Sequence, residues 1–113
     1  MNDLMYIYLF RYQIGNFSLL HVDAEPIRLV QIFYFNREWN SNWGGGLRIL
    51  KSQQAEDVYQ EVPPLLNTSV VLIRSDNSWH SVTPVSKEAT QSRLTLKVAF
   101  LKPEEHFAYK DNT

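Results

Sequence analysis

An all-β domain is the fold class that this sequence predicts, and three observations carry the prediction. Aromatic and β-branched residues are gathered in short runs. Clusters of Gly, Asn, Pro and Ser separate those runs. No stretch of useful length carries the 3.6-residue apolar period of an amphipathic helix. The 113 residues suffice for one hydrophobic core, so one domain is expected over 1–113, built as two packed sheets in a sandwich, barrel or jelly roll.

In chain order, the first strand is expected over residues 6–12 and ends before the Gly15-Asn16 turn. The second, 17–22, stops at Asp23-Ala24-Glu25-Pro26, and the third, 27–36, at the loop that runs through Asn40-Ser41-Asn42-Trp43 into Gly44-Gly45-Gly46. Strands over 47–50 and 57–62 flank a segment, 51–57, that is the one place where a helical turn is expected. Pro63-Pro64 breaks the chain before a strand over 69–74, and Asp76-Asn77-Ser78 turns it into another over 79–84. Residues 86–91 form a surface hairpin leading to the last strand, 92–101.

Charge and composition narrow the function. Eleven basic and twelve acidic residues are interspersed for a net charge of -1, so no basic stripe is present to neutralise phosphates, and neither nucleic acid nor a membrane is an expected partner. With no Cys, disulfides, thiolate nucleophiles and iron–sulfur clusters are excluded, and any metal must be held by His, carboxylate or water. The first ten residues carry Asp3 where a signal peptide places Lys or Arg, and no run approaches the roughly 20 apolar residues of a membrane span. A cytoplasmic protein is the resulting expectation.

One constellation carries chemistry. His21-Val22-Asp23 sits at a strand end, where residues two apart point the same way, so an imidazole and a carboxylate reach one point. A distant strand carrying His80 supplies a third ligand. Two neutral His and one carboxylate on one face of an octahedron leave positions open for a bidentate cosubstrate and dioxygen, as in non-haem iron(II) oxygenases. Alone the pattern is weak: a His-x-acid arises by chance in roughly one such chain in three, and His21 as a satisfied strand-end histidine is the plain alternative.

The surroundings add the rest. In order, the chain reads Leu-His-Val-Asp at 20–23, Ile-Phe-Tyr-Phe-Asn-Arg-Glu-Trp at 32–39 and Trp-Gly-Gly-Gly-Leu-Arg-Ile at 43–49. Val-Pro-Pro follows at 62–64, then Val-Val-Leu-Ile-Arg-Ser-Asp at 70–76, Trp-His-Ser-Val-Thr-Pro-Val at 79–85 and Ser-Arg-Leu-Thr-Leu at 92–96. In this order and spacing, from Tyr12 to Pro103, the sequence resembles the prolyl 4-hydroxylase-like branch of the 2-oxoglutarate/Fe(II) dioxygenases, particularly the oxygen-sensing type.

The resemblance implies a double-stranded β-helix (jelly roll) of about eight strands in a minimal form without the N-terminal helices of the family. It implies Fe(II) held by His21, Asp23 and His80, with 2-oxoglutarate and O2 as cosubstrates and ascorbate as a candidate reductant. Arg93 matches in place the basic residue that grips the distal carboxylate of 2-oxoglutarate, a task suited to a bidentate guanidinium. Tyr34 matches the tyrosine that joins it there, and Tyr12 lies near a further pocket tyrosine. Halogenating relatives lack the carboxylate ligand, so Asp23 favours hydroxylation. The implied substrate is prolyl or otherwise peptidyl; a free amino acid or small metabolite, or a non-catalytic module on the same scaffold, are the alternatives.

Other residues are read more plainly. Trp79 faces away from His80 by alternation, His106 is a solvated tail residue, Gly44-Gly45-Gly46 is a turn and strand start, and Trp39 and Trp43 either line a substrate entrance or pack onto the barrel. If Arg93 faces the pocket, so do Thr95, Lys97 and Ala99, while Leu94, Leu96, Val98 and Phe100 point out. Leu29, Phe33 and Phe35 then point out beside them on the larger sheet. Seven such side chains predict a homodimer through that outer face, or else a chain that has lost the helices covering it.

Overall fold

The computed structural model describes residues 5–102. Eight strands run in order: β1 Met5–Tyr12, β2 Ser18–His21, β3 Ile27–Tyr34, β4 Leu47–Leu50, β5 Val58–Val62, β6 Ser69–Ile73, β7 His80–Val82 and β8 Arg93–Leu101. They form two four-stranded sheets, β1-β8-β3-β6 and β2-β7-β4-β5, and every pairing is antiparallel. First pairs with eighth, second with seventh, third with sixth and fourth with fifth. One long antiparallel ribbon is thus rolled up into a jelly roll, as expected.

Period-two alternation decides what fills the space between the sheets. On β3 the inward row is Val30, Ile32 and Tyr34, and on β8 it is Arg93, Thr95 and Ala99. Leu47, Val62, Leu72 and Val82 complete the core from the other strands, each buried side chain contributing roughly 1.5–3 kcal/mol.

Two local expectations change. Residues 51–57 form bends and turns, tied by Lys51 N–H to the Asp57 carbonyl and by Ser52 Oγ to Asp57 Oδ2. The helical turn is instead a single 3-10 turn at Ser41–Trp43, because the Asn40 side chain accepts from Asn42 N–H at 2.8 Å and caps it. Residues 86–91 are not a hairpin either: β7 and β8 lie in different sheets, so the segment crosses from one sheet to the other.

The outer face of β1-β8-β3-β6, the sheet with the longer strands, is as apolar as the alternation requires. Cross-strand pairs Leu29–Phe100 and Phe33–Leu96 place the expected residues side by side. The face is wider than expected, since Ile7 pairs with Val98, Leu9 with Leu96 and Ile73 with Leu29. Leu9 is 80% exposed and Ile73 69%.

Candidate functional site

Rolling up the ribbon places β2 against β7, which makes His21 and His80 direct cross-strand partners despite their distance in sequence. Their rings lie 4.4 Å apart. His80 is buried and His21 half-exposed. Asp23 lies just beyond β2, and Arg74, at the end of β6, donates from Nε to its main-chain carbonyl at 3.1 Å, which fixes the backbone there.

Each imidazole is oriented by the chain behind it. Nδ1 of His21 stands 2.8 Å from the Leu19 carbonyl oxygen, and Nδ1 of His80 2.9 Å from that of Ser78. A carbonyl oxygen only accepts, so Nδ1 donates in both, and each neutral ring presents its Nε2 lone pair. Both Nε2 atoms lie 3.5 Å from Asp23 Oδ1. That is longer than the about 2.7–2.9 Å of a charge-assisted hydrogen bond and close to the about 3 Å between neighbouring donors on an ion with bonds of roughly 2.1 Å. The three donor atoms fall within 4.8 Å of one another. Burial alone would raise the Asp23 carboxyl, but the two histidines facing it, each able to share a proton with it when no metal is bound, pull it well below the usual carboxylate range. The Asp23 hydrogen bond in turn raises His21. The set is a deprotonated carboxylate and two imidazoles converging from one side, the donor arrangement that suits an octahedral cation with an open face.

His21, Asp23 and His80 line a cavity of about 180 Å³ that Arg93 also lines. Arg93 is 2% exposed. Its Nε donates to the Gly45 carbonyl at 2.6 Å, and its guanidinium carbon sits 5.1 Å from the Tyr12 ring centre and 5.6 Å from that of Tyr34. Burial pulls the guanidinium below its ordinary pKa, though an arginine remains charged. Burial also pushes up the Tyr34 hydroxyl, which stays protonated.

Tyr34 Oη and Thr95 Oγ1 are buried without a hydrogen-bond partner. The two residues are cross-strand partners, with Arg93 next to Thr95 on the same face of β8. Orphaned buried hydroxyls are rare. Two of them beside a buried cation fit a carboxylate supplied from outside, so the donor set fits both a divalent metal and an organic acid.

The structure therefore gathers His21, Asp23 and His80 into one cluster and Arg93, Tyr34 and Tyr12 into a second. Tyr12 offers the face of its ring to Arg93. Trp39 and Trp43 pack edge to face at 5.1 Å, with Trp39 Nε1 bonded to the Gly44 carbonyl, which favours the packing role. His106 lies outside the described residues.

Four contributors carried no role in the sequence reading. Arg74 holds the Asp23 backbone, Thr95 offers an orphaned hydroxyl, Lys97 lines the cavity, and Gly45 supplies the carbonyl that holds Arg93. Gly45 adopts φ +70°, and a Cβ there would press on Arg93 Cδ at 3.1 Å, so glycine is needed for both reasons. Only Thr95 and Lys97 had a signal, their period-two phase with Arg93.

Comparison with known proteins is consistent with this geometry. The family model described as the 2OG-Fe(II) oxygenase superfamily matches residues 7–101. A crystal structure of a Pseudomonas putida prolyl-4-hydroxylase is similar at 26% identity and a TM-score of 0.69, over 87% of this chain and 51% of that one. A structure of prolyl 4-hydroxylases from Phytophthora capsici shares the fold at 21% identity and a TM-score of 0.59, over 86% of this chain and 31% of that one. The chain thus spans about half the length of the first and a third of the second. No curated protein sequence matches it. Among the described residues no helix is long and apolar enough to cross a membrane.

Proposed function

Because the chain belongs to the 2OG-Fe(II) oxygenase superfamily, we propose that it is a hydroxylase acting on a prolyl or other peptidyl substrate, with residues 1–113 as one catalytic domain. His21, Asp23 and His80 are the metal ligands in this reading, and Arg93 with Tyr34 holds the distal carboxylate of 2-oxoglutarate. The observation that carries it is the convergence of two imidazole Nε2 atoms and one carboxylate oxygen in the cavity that Arg93 also lines.

When bound, Fe(II) and 2-oxoglutarate supply the oxidation: dioxygen is split, one oxygen atom enters a substrate C–H bond, and the other leaves in succinate, with release of carbon dioxide. The chain supplies orientation. The Leu19 and Ser78 carbonyls fix the imidazole tautomers, Gly45 holds the Arg93 fork, and the rings of Tyr12 and Tyr34 shield that fork from water. The cavity is smaller than the roughly 300–1,000 Å³ of a site for a drug-sized ligand. It suits a small diacid, with the substrate approaching from the open side.

The expected result is succinate formation from 2-oxoglutarate that requires Fe(II), is sustained by ascorbate, and disappears in Asp23→Ala. Metal and 2-oxoglutarate uptake with no succinate, in the presence or absence of prolyl peptides and free amino acids, would reduce the protein to a binding module. Turnover of a free amino acid but no peptide would select the small-molecule reading.

The apolar outer sheet bears on assembly. Four strands about 4.8 Å apart and five to nine residues long cover on the order of 500 Å² in projection. Accessible area on a ridged surface exceeds that and comes within reach of the about 800 Å² per partner of a stable interface. We propose that a second copy covers it about a two-fold axis, the commonest closed arrangement. Sedimentation equilibrium should give a dimer that Leu9→Lys, at the most exposed point of the face, converts to a soluble monomer. A monomeric wild type at micromolar concentration would remove the dimer.

A further inference from the structure

Two positions beyond Thr95 on the inner face of β8 stands Lys97. Across the sheet it pairs with Ile32 on β3 and Tyr8 on β1, and its ammonium sits 4.8 Å from the centre of the Phe10 ring. It lines the same cavity as Asp23 and Arg93. No carboxylate among the described residues lies within 4.0 Å of it. Burial and the Arg93 charge lower its pKa, while Asp23 works the other way.

Charge balance then identifies what is missing. Among the cavity-lining groups one carboxylate, Asp23, faces two cations, Arg93 and Lys97. A divalent metal and a dicarboxylate cosubstrate cancel each other, which leaves one positive charge uncompensated once the site is filled. Lys97 is partly buried, and a charge withdrawn in part from water without a partner is unfavourable. Arg93 is held through its Nε by the Gly45 carbonyl, whereas Lys97 stands four residues further along β8 with its ammonium over the Phe10 ring, so the two cations approach the cavity from different positions.

We propose that Lys97 is the anchor for a carboxylate on the substrate, so that the molecule oxidised here carries an acid group close to the carbon attacked. The inference rests on the oxygenase reading above and makes it more specific: the substrate is an acid, either a small one or a peptide with an acidic residue beside the reacting one.

The test uses binding, not turnover. Protein loaded anaerobically with Mn(II) and 2-oxoglutarate is titrated calorimetrically with cyclopentanecarboxylate and with cyclopentanecarboxamide, which share a ring and differ in charge. Wild type should bind the carboxylate at least about tenfold more tightly than the amide, the scale of one desolvated charge pair. Lys97→Met, similar in length and uncharged, should lose that preference while keeping Mn(II) and 2-oxoglutarate affinity, and Lys97→Arg should restore it. Equal binding of the two probes, no binding of either, or a preference that survives in Lys97→Met overturns the proposal. Weakened 2-oxoglutarate binding in Lys97→Met also overturns it, because Lys97 would then hold the cosubstrate. If wild type takes up neither Mn(II) nor 2-oxoglutarate, the oxygenase reading falls first and this one with it. A second pair of probes separates the sources: tighter binding of N-acetylproline points to an acid on the oxidised unit itself, and of N-acetyl-prolyl-aspartyl amide to an acidic neighbour in a polypeptide.

Discussion

Alanine in place of His21, Asp23 or His80 is expected to abolish tight binding of Mn(II) or Fe(II), measured by anaerobic calorimetric titration. The three donor atoms converge within 4.8 Å, and in the proposed site each variant removes one of three protein ligands. Loss of a group that merely orients a ligand costs about 10–100-fold in metal affinity, so loss of a ligand should exceed about 100-fold. The variants should differ in their metal-free stability. His21 is half-exposed, and its truncation should leave the melting temperature nearly unchanged. His80 is 6% exposed and packed beneath it, so His80→Ala opens a hole and should destabilise the fold by roughly 0.5–3 kcal/mol. Asp23→Asn keeps the shape and removes the charge, which separates coordination from packing. Any variant that binds metal as wild type does removes its residue from the site.

The second large effect is expected at Arg93. Arg93→Ala should retain metal affinity and lose 2-oxoglutarate affinity by roughly 2–5 kcal/mol, because truncation leaves a buried carboxylate without its charged partner. In dissociation constants that is about 30-fold to several thousand-fold. Tyr34→Phe provides the contrast. Its hydroxyl is buried without a hydrogen-bond partner, so removal should leave the ligand-free protein as stable as before or more so, while weakening 2-oxoglutarate binding by roughly 0.5–1.5 kcal/mol. Opposite signs in one residue would mark a hydroxyl kept for a ligand. Unchanged 2-oxoglutarate binding in Arg93→Ala would mean that another cation holds it, and Lys97 would then be the first to examine.

What the sequence by itself determined was local. Strand content followed from aromatic and β-branched runs closed by Gly, Asn and Pro turns, and all eight strands stand within a few residues of the expected places. Alternation along β8 assigned Arg93, Thr95, Lys97 and Ala99 to one face and Leu94, Leu96, Val98 and Phe100 to the other, because a strand reverses its side chains at every residue whatever it pairs with. Only the tertiary structure decided which strands meet. The register that sets His21 opposite His80, the Gly45 carbonyl that holds Arg93 and the Arg74 contact behind Asp23 all join residues far apart in the chain. The same holds for the crossing at 86–91, where six polar or small residues in a row look alike whether they turn back within one sheet or pass to the next. For Lys97 the sequence shows only that it shares a strand face with Arg93, and nothing about whether its charge is paired. Its want of a partner exists only once two sheets close around it, since burial and pairing are properties of the whole packing and not of any short stretch of chain.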